Sequence, residues 1–167
     1  DGTVSVLLEP IALYHQRDLY ADGDDGWLGA DSGEHVPIGT ARVHGSGADV
    51  TIITFGNGVR MSLRVAQRLA AQGVGAQVVD LRWLSPLPVE DILRAADRTG
   101  RVVVADETRH SGGVGEGVLT ALVEAGYTGR MTRVSSADTF IPLGTAASAV
   151  LLSEDDIERA TLALAHT

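Results

Sequence analysis

The chain alternates between two hydrophobic periods. Short runs of β-branched and aliphatic residues give way repeatedly to segments in which apolar positions recur every three or four residues. Residues 4–8 (VSVLL) form a first short apolar strand. Residues 15–37, rich in Asp and Gly and without a period, read as an extended linker. The stretch "TARVHGSGADVTIITFG" holds two β-rich runs joined by Gly45, Ser46 and Gly47. It predicts a hairpin, with residues 40–44 antiparallel to the run that follows. After Gly58 the period lengthens: Val59, Leu63, Ala66 and Leu69/Ala70 share one helical face, Arg60, Arg64 and Arg68 a solvated second one, and Gly73 supplies the stop.

The cycle then repeats. Residues 76–81 are a strand, and "SPLPVEDILRAADRTG" is a helix with Pro88 near its start, Glu90 and Asp91 in its first turn and Gly100 after its end. A strand over 101–105, a helix over 114–125 closed by Gly126, a strand over 131–135 and a helix over Glu154–Ala165 capped by Ser153 complete the chain. Strands alternating with helices mean parallel βαβ units. The expected fold is α/β, a three-layer sandwich. Its core is a mixed, mostly parallel five-stranded sheet with one antiparallel edge strand and helices on both faces.

Composition narrows the function classes. The 167 residues, 44% hydrophobic, suit one globular domain with its own core. The absence of cysteine excludes disulfides, thiolate metal sites and cysteine nucleophiles. All 13 basic residues are arginines, which removes the lysine-dependent phosphate loop and Schiff-base chemistry. The net charge of −9 is uneven: residues 1–49 hold nine acids against Arg17 and Arg42, and residues 50–167 hold 13 acids against 11 arginines. Such a chain repels a phosphate backbone, so no nucleic-acid partner is expected. No apolar run approaches the ~18 residues of a membrane span, and Asp1 opens neither a basic nor a signal-like stretch. A cytoplasmic protein without membrane partners is expected, and the chain is expected to be a piece of something longer.

Candidate chemistry gathers in "VVVADETRHSGGVGEG", residues 102–117. Gly112, Gly113, Gly115 and Gly117 do not have the G-x-G-x-x-G spacing of a dinucleotide fingerprint, and the next strand ends in Ser135 and Ser136 where that fingerprint needs an acid. The glycines then serve backbone geometry, with positive φ and close packing of a helix start. Anion binding at that helix start is the competing reading. Asp106 and Glu107 stand at the carboxyl end of a central strand, where open α/β sheets place ligands, although adjacent acids in a turn more often cap or form interfaces. His110 is the catalytic histidine by position, yet no serine, cysteine or carboxylate is paired with it by a recognised spacing. His15, His35, His44 and His166 show no metal-like spacing, and "ADGDDG" breaks the calcium-loop ladder, with Gly33 at its twelfth position. No metal site is expected.

Four stretches, "VPIGTARVHGSGADVTIITFGNGV", "GAQVVDLRWLSPLPVEDIL", "TGRVVVADETRHSGGVGEGV" and "DTFIPLG", resemble the C-terminal domain of transketolase-like enzymes. The resemblance runs from Val36 onward and is greatest to the β subunit of the decarboxylating first component of 2-oxo acid dehydrogenase complexes. Its specific part is the pairing of V-D-L-R-W-L-S-P-L-P with the later D-E-x-x-x-x-G-G-x-G. "VSVLLEPIALY" is similar to the end of that family's preceding pyrimidine-binding domain. The resemblance therefore implies three parts: residues 1–14 ending that domain, an acidic linker over 15–37, and a transketolase C-terminal-like domain over 38–167.

In the family, thiamine diphosphate lies between two other domains, held by a G-D-G…N metal motif and activated by a glutamate of the pyrimidine-binding domain. Neither element is in this chain. The resemblance implies a non-catalytic domain without its own cofactor, in a parent enzyme that uses thiamine diphosphate and Mg. Its implied partners are the remaining domains or α subunit, a further copy in a homo-oligomer, and dihydrolipoyl acyltransferase. Glu9, Tyr14, His15, Asp106, Glu107, His110, Gly112 and Gly113 would form an active-site rim or interface. Two departures stand out: His15 and Gln16 follow "LY" where the family usually has a basic residue, and residues 20–35 are longer and more acidic. "DTFIPLG" is also similar to deoxyxylulose phosphate synthase, so the C-terminal domain of such an enzyme or of a transketolase is an alternative. A free-standing α/β module that captures a small anion at residues 106–117 is another.

Overall fold

The structure, a computed structural model, describes residue 2, residues 4–30, residue 33 and residues 35–166. Five strands form one sheet: β1 Arg42–His44, β2 Val50–Thr54, β3 Ala76–Asp80, β4 Arg101–Arg109 and β5 Arg130–Ser136. The helices are α1 Asn57–Ala71, α2 Val89–Thr99, α3 Val114–Glu124 and α4 Glu154–Ala165. The order across the sheet is β1-β3-β2-β4-β5, with β1 antiparallel to β3 and the other pairs parallel. The crossover through α1 steps one way along the sheet, and those through α2 and α3 step the other way. Crossovers of one hand in opposite directions put their helices on opposite faces. The three-layer α/β expectation is met.

The period-2 alternation of the strands fills both layers. Val50, Ile52 and Val78 pack with Val65 and Leu69 of α1 and Ile157 of α4. Ile53, Val79 and Val104 pack with Ile92 of α2 and Val118 and Leu122 of α3. Polar strand residues stay inside because the helix beside them supplies acceptors. Thr51 Oγ1 and Gln77 Nε2 donate to the Ala95 carbonyl at 2.9 Å each. Ser153 caps α4 as expected, in a reciprocal capping box with Asp156.

Three sequence expectations about the elements change. The hairpin does not form, because β3 lies between the two runs: β1 pairs with β3, Val43 opposite Val79, and the Gly45–Ser46–Gly47 link crosses the start of β3 to reach β2. Gly47 makes the crossing possible, since a Cβ there would collide with the backbone of Gly75 and Ala76. Residues 4–8 belong to no strand among the described residues, and Val4 is 91% exposed. An apolar run supplies side chains, whereas a strand also needs a partner edge. On α1, Ser62 and Val65 are buried and Ala70 is exposed, so the inner face is rotated from the one expected.

The arginine stripe of α1 is not left to solvent. Arg64 pairs with Glu154 at 2.8 Å and Arg68 with Glu158 at 2.9 Å, tying α1 to the first turns of α4. Arg60 donates through Nε and Nη2 to the Asp18 carbonyl, and Arg64 Nη1 to the Leu19 carbonyl at 2.8 Å. These bonds hold an acidic arm that folds on itself, where sequence suggested a solvated linker. The linker expectation at Asp31, Ser32 and Glu34 lies outside the described residues. The Asp24 carboxylate accepts N–H bonds from Gly26, Leu19, Ala21 and Tyr20, and Asp18 accepts from Gly23 and Asp25.

The backbone N–H of Gly26 and its three companions hold Asp24 well below the usual carboxylate range, and those of Gly23 and Asp25 lower Asp18. A carboxyl depressed in the folded state contributes stability that is complete above the ordinary carboxylate pKa and is lost as pH falls below it. The arm should therefore stay docked from pH 7 to about 5 and release progressively below about 4. Trp27 fluorescence in a Trp83→Phe background measures this. Asp24→Ala should show the released signal already at pH 7. A signal indifferent to both acid and Asp24→Ala would contradict the carboxylate clamp.

Candidate functional site

β2 and β4 are neighbours whose following helices leave on opposite faces, α1 with one layer and α3 with the other. That divergence makes a switch point at the carboxyl ends of the two strands, the usual ligand position of an open α/β sheet. Asn57 opens α1 on one side of it, and its Nδ2 donates to Glu107 Oε1 at 2.8 Å from the other side. Pro10 of the N-terminal segment reaches the same place, with its ring 3.4 Å from where a Cβ on Gly56 would stand.

β4 runs past its expected end at residue 105 to Arg109, with an irregularity in register: Asp106 lies opposite Ser135 and Arg109 opposite Ser136. Asp106 and Glu107 are thus strand residues and not turn residues. Ser136 holds the irregular part. Its Oγ donates to the Glu107 carbonyl at 2.7 Å and accepts from Leu152 N at 2.9 Å.

Asp106 is fully buried. Its Oδ1 accepts from Thr108 N at 2.9 Å and Thr108 Oγ1 at 2.7 Å, and its Oδ2 accepts from Gly115 N at 2.6 Å. Gly115 lies in the first turn of α3, where backbone N–H groups lack helical partners. Asp106 therefore caps α3 from a neighbouring strand, with its charge at the positive end of the helix. Gly113, just before α3, has φ −82°, and the expected positive φ falls on Gly112 at +74°. What Gly113 supplies is space. A Cβ there would stand 2.6 Å from Asp106 Oδ2 and would collide with Thr108 Oγ1.

The rest of the loop is tied down in the same way. Asp138 accepts from Ser111 N at 2.8 Å and Ser111 Oγ at 2.5 Å, and the Ser111 hydroxyl is the main reason its carboxyl lies below the usual range. Glu116 accepts from Gly112 N at 3.0 Å and pairs with Arg133 at 3.6 Å. His110 is exposed, with Nδ1 3.2 Å from Ser135 Oγ and both ring nitrogens 3.4 Å from Arg133 Nη2.

The structure thus gathers Asp106, Glu107, His110, Gly112 and Gly113 into one loop system. Glu9 and Tyr14 flank a short 3-10 turn at Ile11–Leu13 and bond to each other at 2.7 Å. That bond to Glu9 raises the Tyr14 phenol above its ordinary pKa. His15 is exposed beside them. Sequence reasoning missed Asn57, Arg133 and Asp138. Only Asn57 carried a signal, its place directly after the first inner strand. Among the described residues no three His, Cys, Asp or Glu side chains are placed to hold a metal ion, and the carboxylates at the switch point already accept protein donors. These residues do not fit a magnesium–diphosphate group.

The architecture and this loop match a known family: the model for "Transketolase, C-terminal domain" matches residues 39–157. The chain belongs to that family. This transketolase C-terminal domain is 41% identical over 110 residues to 1-deoxy-D-xylulose-5-phosphate synthase 1 of Geobacter sulfurreducens, covering 65% of this chain and 17% of that protein. It is 35% identical over 125 residues to pyruvate dehydrogenase E1 component subunit beta of Staphylococcus aureus, covering 73% of this chain and 38% of that protein. Among solved structures it is similar to a split-gene transketolase described as an inactive beta4 tetramer, with TM-score 0.73 and 29% identity over 82% of this chain and 45% of that one. The chain spans less than half the length of each of these relatives. Among the described residues no helix is long and apolar enough to cross a membrane.

Proposed function

We propose that this chain is the non-catalytic C-terminal domain of a thiamine diphosphate-dependent 2-oxo acid dehydrogenase of the pyruvate or branched-chain type, a cytoplasmic enzyme. In this reading the domain supports dimerisation and docks dihydrolipoyl acyltransferase. Residues 1–14 end the preceding pyrimidine-binding domain, and the loop around His110 lies at an interface. One observation carries the non-catalytic role. The carboxylates of Asp106, Glu107, Glu116 and Asp138 each accept a hydrogen bond that holds the switch-point loop, so none stands free as a general base. Apolar side chains that have nothing to cover in this chain agree with neighbouring domains or subunits: Phe140 is 98% and Leu143 95% exposed.

A second reading is favoured by the 41% identity to a 1-deoxy-D-xylulose-5-phosphate synthase, which exceeds the 35% to the pyruvate dehydrogenase subunit. The two are separated by product. The full-length protein, with its partner subunit where there is one, should transfer an acyl group from a 2-oxo acid to lipoamide. Formation of 1-deoxyxylulose 5-phosphate in its place would select the second reading. In either case calorimetry of the 167-residue chain should show no saturable uptake of thiamine diphosphate with Mg. Micromolar uptake would overturn the assignment of cofactor binding to other domains.

A further inference from the structure

Away from the switch point, a cleft of about 670 Å³ lies between the folded acidic arm, α1 and the edge strand β1. Its size falls within the range of small-molecule sites. Tyr20 and Trp27 of the arm form one wall and Val59 and Leu63 of α1 another, while Arg42 and His44 of β1 and Asp80 of β3 bring polar groups to it. We propose that this cleft binds a small aromatic carboxylate, its ring between Trp27 and Leu63 and its acid on Arg42. This site goes beyond the proposed function and does not depend on which parent enzyme is correct.

Three observations point to that ligand class. First, His44 Nε2 is buried and has no hydrogen-bond partner, an arrangement that native structures rarely leave uncompensated. Burial lowers the His44 pKa, as do the cations Arg42 and Arg82, while Asp80 opposes them. At neutral pH the ring is therefore uncharged and adds no second cation beside Arg42, which suits a ligand with one negative group. Second, Arg42 is exposed and forms no ion pair among the described residues, so a cation stands at the mouth of an aromatic-walled cleft with its donors open. Third, the wall that the arm supplies is built in advance. The Asp24 cage, the Trp27 N–H bond to the Arg17 carbonyl at 2.8 Å and the Arg60 and Arg64 clamps fix it, and a preformed wall lowers the ordering cost of binding. Asp80, whose Oδ1 accepts from Arg82 N at 3.1 Å, also lines the cleft, and its carboxylate disfavours a ligand with a second negative group.

The test is equilibrium dialysis of 2-naphthoate with the full-length protein, beside 2-naphthamide and inorganic phosphate. Saturable binding of naphthoate with Kd below about 1 mM is expected. Arg42→Gln should weaken it about tenfold, Trp27→Ala should weaken it at least as much, and the uncharged amide should bind the wild type about as poorly as naphthoate binds Arg42→Gln. Melting curves show whether the variants fold. If Trp27→Ala loosens the arm, Arg42→Gln decides, because Arg42 is exposed and its side chain makes no ion pair among the described residues that its loss would break. Absence of saturable binding, equal binding by wild type and Arg42→Gln, or equal affinity for phosphate and naphthoate would each overturn the proposal.

Discussion

Gly113→Val is expected to lower the melting temperature by roughly 10 °C, the equivalent of about 3 kcal/mol or more in a chain of this size. The valine Cβ would have to enter the space held by Asp106 Oδ2 and Thr108 Oγ1. Moving Asp106 away would strip the cap from Gly115 N and leave a buried carboxylate short of donors. The cost is steric and not conformational, because φ at Gly113 is −82°. His110→Ala is the contrast. His110 is exposed, so the melting temperature should hold, and if the proposed dehydrogenase reading is right, turnover of the full-length protein with an artificial electron acceptor should stay within about threefold. A lost general acid–base would cost about 10²–10⁴ in rate. A hundredfold loss in His110→Ala at unchanged melting temperature and oligomeric state would overturn the structural role of this loop.

Gly47→Val should be comparably damaging at the opposite end of the strands. Its side chain would meet backbone, of Gly75 and Ala76, which cannot rotate away as a side chain can. The Asp49 N–H bond to the Gly75 carbonyl at 2.9 Å and the Gly75 N–H bond to Asp49 Oδ2 at 2.7 Å hold that backbone in place. Either those bonds break or β1 leaves its ladder with β3. We expect a loss of about 3 kcal/mol, with faster hydrogen exchange concentrated at the β1–β3 ladder. Ser46→Ala, one residue away, should stay within about 0.5 kcal/mol. A Gly47→Val protein that melts with the wild type would mean that the chain does not cross β3 in this way.

Both predictions concern places where local pattern and tertiary outcome part. The β-rich runs on either side of Gly45–Ser46–Gly47 carry the local signature of a hairpin, and nothing within those residues says that a strand from farther along the chain will enter between them. The glycines of residues 112–115 are legible as a turn into a helix. Which of them needs positive φ and which needs empty space depends on where the Asp106 carboxylate lies, and that follows from the irregular pairing of β4 with β5. Asp106 and Glu107 lie within β4, which runs on to Arg109 beyond the end the sequence suggests, and their uses, one as a remote cap and one as a stitch to Asn57, are not readable from spacing.

By itself the sequence determined the succession of strands and helices, the three layers, the mostly parallel pairing and the family to which the chain belongs. Those properties rest on local quantities: a period of two or of three to four, glycine and serine at helix ends, and motif strings whose order does not depend on contacts. Only the tertiary structure decided the partner of β1, the duty of the α1 arginines and the folding of the acidic arm. Arg60, Arg64 and Arg68 look solvated in sequence because one face of a helix is all that periodicity can describe. In the fold they stand beside the Asp18 and Leu19 carbonyls and the acids of α4. The acceptor a donor finds across many residues depends on which backbone and side-chain groups the rest of the fold leaves unsatisfied, and that is known only once the layers have been stacked.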